Sequence, residues 1–225
     1  KTVVFRGELR YNDNMSKGRE NMEKIIFATG NAGKMKEIRE ILADLHMDVL
    51  SMKEAGIVLD IEENGSSFEE NAVIKAKAVA QHPNARGAVV LADDSGLEID
   101  YLNGEPGIYS ARYMGEDTSY HIKNQNLVDR LEGVPDEKRT ARFVCVIAAV
   151  FPDGEVLTER GTIEGKIGYE ERGSNGFGYD PIFYLPDMSR STAQLMPEEK
   201  NAVSHRGKAL QQMKQELTKR KENVK

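Results

Sequence analysis

Ile25-Ile26-Phe27-Ala28-Thr29-Gly30-Asn31-Ala32-Gly33-Lys34 runs from a short apolar stretch through a glycine turn into a long amphipathic segment. Read as strand, turn and helix, it opens an α/β fold. It is also a ready anion site. Glycines let backbone N–H groups approach phosphate oxygens, a helix N-terminus adds partial positive charge, and Lys34 adds a full one. The spacing is not the Walker pattern, which needs four residues between its glycines and a Ser or Thr after the lysine. Met35 stands there instead, so no hydroxyl is in place for a magnesium ion. The stretch alone fits a phosphate cradle or plain strand–helix architecture.

Downstream, strand and helix patterns alternate. Met35, Ile38, Ile41, Leu42 and Leu45 share one face of a helix over Lys34–Leu45. Val49 to Ile61 reads as strand and loop. Ser67-Phe68-Glu69-Glu70 has the spacing of a capping box and opens a helix to about Gln81. Ala88–Ala92 is continuously apolar, as in a central strand buried on both faces. Leu97, Ile99 and Tyr101 alternate with acids, and a helix follows over Tyr120–Leu131. Ala141–Phe151 reads as a long strand, and Pro152-Asp153-Gly154 turns it into a hairpin with Glu155–Arg160. Pro181–Leu185 reads as a short strand and His205–Lys221 as a final helix. Its Lys219-Arg220-Lys221 end suits the helix dipole as a solvated cap. The fold class expected is α/β, with a mixed central sheet and flanking helices. Residues 1–21 read as an extension, with a possible strand at Thr2–Phe5, a polar linker at 12–18 and Met22 as an alternative start; residues 22–225 read as the domain.

The chain has 225 residues, 31 basic and 37 acidic side chains and a net charge of −6. That balance argues against a nucleic-acid or membrane-surface binder, yet leaves room for a local cationic pocket. The single cysteine, Cys145, lies in an apolar run and reads as a small buried hydrophobe. An intramolecular disulfide and a multi-cysteine zinc site are excluded. With no apolar run long enough to span a bilayer and no secretory signal, a reducing cytoplasm is the expected compartment.

Five further stretches carry candidate chemistry. Asp93-Asp94-Ser95-Gly96 follows the most apolar strand, where α/β proteins place ligands. Its carboxylates suit a divalent metal, a general base, or a simple Asp-Ser-Gly turn. Glu62-Glu63-Asn64-Gly65 is a solvated loop unless the fold brings Glu63 beside Asp94. Magnesium needs one or two carboxylates plus substrate oxygens, so that pair would suffice. Asn71 and Lys75, at i and i+4, share a helix face and read either as a solvated polar face or as an amide and an ammonium reaching into a cleft. In Arg172-Gly173-Ser174-Asn175-Gly176-Phe177-Gly178-Tyr179-Asp180-Pro181, glycines flank an aromatic ring that either stacks on a ligand such as a nucleobase or turns into the core. Lys200-Asn201-Ala202-Val203-Ser204-His205-Arg206-Gly207 puts His205 and Arg206 at a helix N-terminus, where the dipole disfavours cations. That local violation points to another use.

Taken together and in order, Thr29–Lys34, Phe68–Ala72 with Lys75, Ala92–Leu97, Pro106–Tyr113, Gly176–Pro181 and Ser204–Gly207 resemble the inosine triphosphate pyrophosphatase family. The resemblance covers Glu23 to the C-terminus. It implies an elongated fold whose two lobes flank a nucleotide cleft, usually as a homodimer. It also implies Mg²⁺-dependent hydrolysis of ITP, dITP and XTP to the monophosphate and pyrophosphate. Asp94 would deprotonate the attacking water and meet the metal, with Glu63 as second metal carboxylate. Thr29, Gly30, Asn31, Ala32, Gly33 and Lys34 would hold phosphates, with Lys75 and Ser95 beside them. Phe177 would stack on the base within the Gly178-Tyr179 loop, and Asp180, Lys200, His205 and Arg206 would surround its edge.

Overall fold

The computed structural model describes residues 24–186 and 189–223. The expected strand Thr2–Phe5, the linker at 12–18 and Met22 lie outside the described residues. A seven-stranded sheet runs in the order β2-β1-β3-β4-β5-β6-β7. Its strands are β1 Lys24–Phe27, β2 Asp48–Ser51, β3 Val89–Ile99, β4 Thr140–Val150, β5 Val156–Ile167, β6 Phe183–Leu185 and β7 Arg190–Ser191. β1 is parallel to β2 and β3, and every later pair is antiparallel, so the sheet is mixed as expected. The helices are α1 Ala32–Leu42, α2 Phe68–Ala80, α3 Tyr120–Arg130, α4 Pro197–Val203 and α5 His205–Asn223.

The two-residue period of the strands decides which helix covers which residue. Ile25, Phe27, Val89, Leu91, Cys145 and Ile147 face α1 and α5, whose Ile38, Leu42, Leu210 and Met213 complete one apolar cluster. Ile26, Val90, Ala92, Val144 and Val146 face α2 with its Ala72, Ala76 and Val79. A third cluster, around Leu97, Ile99, Phe143, Leu127 and Phe183, fills the other end of the long β3–β4–β5 strands beneath α3.

One expectation is corrected by the pairing. Asp93–Gly96 is not a turn after a strand. β3 continues through it, paired with β4 from Val90↔Val150 to Ile99↔Ala141. What ends is β1, whose register stops at Phe27↔Leu91. Beyond that point β3 loses its parallel neighbour on one edge, and the glycine turn leaves from β1 into the gap. The carboxylates therefore lie mid-strand, at the edge where the sheet opens. Three smaller differences are local. Ser67 caps α2 through Glu70 N, but the Glu70 carboxylate takes Ser66 N at 2.7 Å instead of closing a box. Asp180–Ile182 is a 3₁₀ turn before β6. Of the cationic C-terminal stretch, Lys221 reaches Leu45 O at 2.8 Å and Arg220 reaches Glu155 at 2.5 Å, so it ties α5 down as well as capping it.

Candidate active site

Asn31 is the N-cap of α1, its side chain accepting from Lys34 N at 3.0 Å. Thr29 Oγ1 accepts from Asn31 N at 3.1 Å and shapes the turn. Gly33 thus lies in the first helical turn and not in the bend before it. The N–H groups of Ala32 and Gly33 begin the helix, where no intrahelical carbonyl can reach them. The turn is exposed, and nothing lies within 4 Å of where a Gly30 side chain would start. The strand, turn and helix start lie where the sequence places them, and unsatisfied N–H groups at a helix start are suited to an anion.

Because side chains alternate along β3, Asp93 and Asp94 point to opposite faces of the sheet. Asp93 points to the α1–α5 face. It takes Lys34 Nζ at 2.7 Å, lies 3.5 Å from Arg206 Nε and accepts from Ser95 Oγ at 3.3 Å. Burial works to raise its pKa, but Lys34, Arg206 and Lys75 outweigh it and hold the carboxyl well below the usual range. Asp94 points to the α2 face. Lys75 Nζ is 3.7 Å away and bonds Glu63 at 3.1 Å. Here burial prevails over Lys75, Glu63 adds to it, and the Asp94 carboxyl is pushed up to about 6. The fold has thus brought Glu63 to Asp94 through one shared ammonium. Arg112 Nη2, 3.4 Å from Glu63 O, braces the same segment.

These two carboxylates fit a magnesium ion, which takes one or two protein carboxylates and substrate oxygens. Asp94 Oδ2 is buried without a hydrogen-bond partner, an anionic oxygen ready to ligate. Among the described residues no group of three or more His, Cys, Asp or Glu could form an all-protein cage.

At the other end of the cleft Phe177 is 40% exposed, so it is not turned into the core. Its ring lies 4.9 Å from Lys200 Nζ and 5.4 Å from Arg206 Cζ. Asp180 fixes the loop: it accepts from Phe177 N at 2.8 Å, Lys200 Nζ at 2.8 Å and Thr192 Oγ1 at 2.8 Å. Gly176 sits at φ 75°, and a side chain there would strike the Asp180 carboxylate, so glycine is required on both counts. Tyr179 is buried, donates to Ser110 O at 2.6 Å and meets Tyr120 edge-on at 5.3 Å. Asn124 of α3 holds Gly178 O at 3.2 Å.

His205 and Arg206 form the first turn of α5 and are both buried. Burial, then Arg206 and Lys200, push the imidazole well below its usual pKa, so it is neutral near pH 7. It stacks on Phe143 at 4.9 Å, and its Nδ1 has no partner. Arg206 is held by Glu37 at 3.0 Å, which also lies 3.8 Å from Lys200.

Asn31, Lys34, Ser95, Phe177, Gly178, Tyr179, Asp180, Lys200, His205 and Arg206 line one cleft of about 300 Å³, with Tyr120 and Phe143 on its walls. A larger hollow of about 950 Å³, beside Lys77, His82 and Arg86, contains no carboxylate. Chemistry, not size, distinguishes the site. Asn71, expected to reach into the cleft, is fully buried, its side-chain oxygen accepting from Gly65 N at 2.8 Å. Sequence reasoning missed Asp93 as an ionic hub, and Glu37 and Thr192 as supports. Glu37, one turn beyond Lys34, sits on the same side of α1, which was the only available signal.

The chain is similar to characterised and solved proteins throughout this region. The dITP/XTP pyrophosphatase of Clostridium perfringens is 47% identical, covering 87% of this chain and 98% of its own length. That of Bacillus subtilis is 47% identical over 85% of this chain and 96% of its own. The Ham1 protein of Staphylococcus aureus superposes with a TM-score of 0.78 at 43% identity, over 87% of this chain and 98% of its own. A HAM1 protein from Coxiella burnetii gives 0.79 at 45% identity, over 88% and 100%. The Ham1 family profile matches residues 25–216, and with the sheet order and the cleft they enclose, the chain belongs to the Ham1 family.

Proposed function

We propose that the chain hydrolyses non-standard purine nucleoside triphosphates (ITP, dITP and XTP) to the monophosphate and pyrophosphate, with Mg²⁺, and acts as a cytoplasmic homodimer. The observation that carries this is the polarity of one cleft. A helix N-terminus and Lys34 stand at one end, with the Glu63–Asp94 pair, joined by Lys75, on the adjoining stretch of β3, and an exposed aromatic ring ringed by Asp180, Lys200, His205 and Arg206 stands at the other. The names of the relatives agree with it. Among the described residues no helix is long and apolar enough to cross a membrane.

Glu63 and Asp94 would hold Mg²⁺, which when bound neutralises charge on the phosphate oxygens. Asp94, its pKa raised toward neutrality, suits proton abstraction from the water that attacks the α-phosphorus. Lys34, the N–H groups of Ala32 and Gly33, and Lys75 stabilise the charge spreading onto the departing pyrophosphate. Ser95 lies beside them, its N–H held on Asp94 Oδ1 at 3.0 Å.

At the base end Phe177 stacks on the purine. Arg206 and neutral His205 supply donors for a 6-oxo group. Adenine carries an amino donor there and would leave buried donors unpaired, a mismatch worth discrimination on the order of 10⁴. Pyrophosphate release from ITP, XTP, dITP and ATP, with and without Mg²⁺, tests the proposal. Turnover is expected for the first three, only with metal, and ATP is expected to be slower by about 10³-fold or more. Equal turnover of ATP and ITP overturns the 6-oxo reading.

A further inference from the structure

Asn71 is fully buried in α2. Its Oδ1 accepts from Gly65 N at 2.8 Å, two residues beyond Glu63. Its Nδ2 has no hydrogen-bond partner, and neither has the buried Asp94 Oδ2. Lys75, one helical turn on, contacts the Glu63 and Asp94 carboxylates directly. Gly65 is fitted to the same joint: a side chain there would begin 2.7 Å from Asn71 Oδ1 and 2.7 Å from Glu70 Cβ. A buried amide with one end bonded to the Glu63 segment and the other without a partner costs solvation, which points to a role for the end that is bonded.

We propose that Asn71 is a positioning residue of the hydrolytic centre, its carbonyl anchoring the Glu63–Gly65 segment to the helix whose Lys75 bridges Glu63 and Asp94, so that one side chain helps set the two carboxylates relative to each other. The assignment rests on the reading of Glu63 and Asp94 as metal carboxylates. Groups that orient metal-binding side chains characteristically cost 10–100-fold in metal affinity or activity when lost. Asn71→Leu keeps the bulk and removes both polar ends. Gly65→Ala keeps Asn71 and pushes the segment off its carbonyl.

Mn²⁺ binding to the nucleotide-free protein, followed by electron paramagnetic resonance, is measured alongside steady-state turnover of ITP at saturating Mg²⁺. Both variants are expected to bind Mn²⁺ more weakly by about 10-fold or more, and to lose kcat by about 10–100-fold. KM for ITP is expected to stay within about threefold, because none of the phosphate and base contacts proposed above uses Asn71. A residue that merely supported α2 would lower the melting temperature without this split. A folded Asn71→Leu protein with unchanged Mn²⁺ affinity or unchanged kcat overturns the assignment. If Asn71→Leu does not fold, Gly65→Ala is judged by the same two criteria. Asp94→Asn and Glu63→Gln separate the two levels. If they abolish Mn²⁺ binding while Asn71→Leu leaves it intact, only the role of Asn71 falls. If they too leave it intact, the metal reading itself falls.

Discussion

Two adjacent aspartates with opposite environments are the centre of this site. Asp93 is neutralised by Lys34 and Arg206 and serves as a fixed anion. Asp94 has one distant cation and a buried, unpartnered oxygen, and titrates near 6. Carboxyls whose surroundings push their pKa values apart divide structural from acid–base work. The raised value also has a thermodynamic consequence. A carboxyl lifted from 3.8 to about 6 on folding holds its proton more tightly in the folded state. Folding stability therefore falls as pH rises through that interval, by about 3 kcal/mol for two pK units. Asn at position 94 carries no such cost. Asp94→Asn is expected to abolish turnover, yet to be more stable than the parent in urea at pH 8 without metal. The gap, up to about 3 kcal/mol, should close at about pH 4 and below. A variant less stable than the parent at pH 8 would show that burial does not dominate at this carboxyl. Asp94 was legible as a candidate because its carboxylates follow the most apolar run, although an Asp-Ser-Gly turn fitted the same residues. The role of Asp93 was not, since its cations arrive from α1 and α5, and only the tertiary fold brings those helices to one face of β3.

At the scale of elements, periodicity read the long pieces well and short ones poorly. α1, α2, α3, β4 and α5 fall close to their expected limits, because each has a full apolar face to bury. α4, Pro197–Val203, has seven residues and one buried side chain, Lys200, too little for a pattern. The continuity of β3 through Asp93–Gly96 was hidden because polar residues interrupt the apolar run; pairing with β4 overrides that local signal. The junction of α4 and α5 matters most for function. Ser204 ends α4 and caps α5, accepting Gly207 N on its hydroxyl at 3.0 Å and Lys208 N on its carbonyl at 2.9 Å. It thereby compensates for cations at a helix start and fixes His205 and Arg206 in the cleft. Ser204→Ala is expected to cost about 1 kcal/mol of stability in denaturant unfolding. It should also raise KM for ITP several-fold while kcat changes less than twofold, because only the base end is loosened. A kcat loss without a KM change would place the effect at the phosphate end instead.

Across the whole molecule, the function follows from where β1 stops. The parallel strands carry the phosphate turn and end early. The antiparallel strands β3, β4 and β5 run on and build a second apolar body beneath α3, so the cleft lies between halves with separate cores. The sequence made this arrangement legible through the order of its motifs, but not through any single one. The glycine turn, the carboxylates and the Phe177 loop belong to different halves, and their meeting is a property of the sheet order. Such a cleft should bind its two products at opposite ends. Pyrophosphate alone should slow amide hydrogen exchange at Thr29–Lys34 and at the start of α1, leaving Arg172–Asp180 unchanged. Inosine monophosphate should slow exchange at Asn175–Tyr179 and at the start of α5. Its single phosphate should protect the glycine turn less than pyrophosphate does, if Lys34 and the α1 N-terminus serve the departing diphosphate as proposed. Local opening is suppressed where a ligand binds the closed form, so protection maps contact directly. Protection of the Phe177 loop by pyrophosphate alone would mean that the halves close as one body on any anion. Base recognition would then follow closure, and the ends would not act as independent subsites.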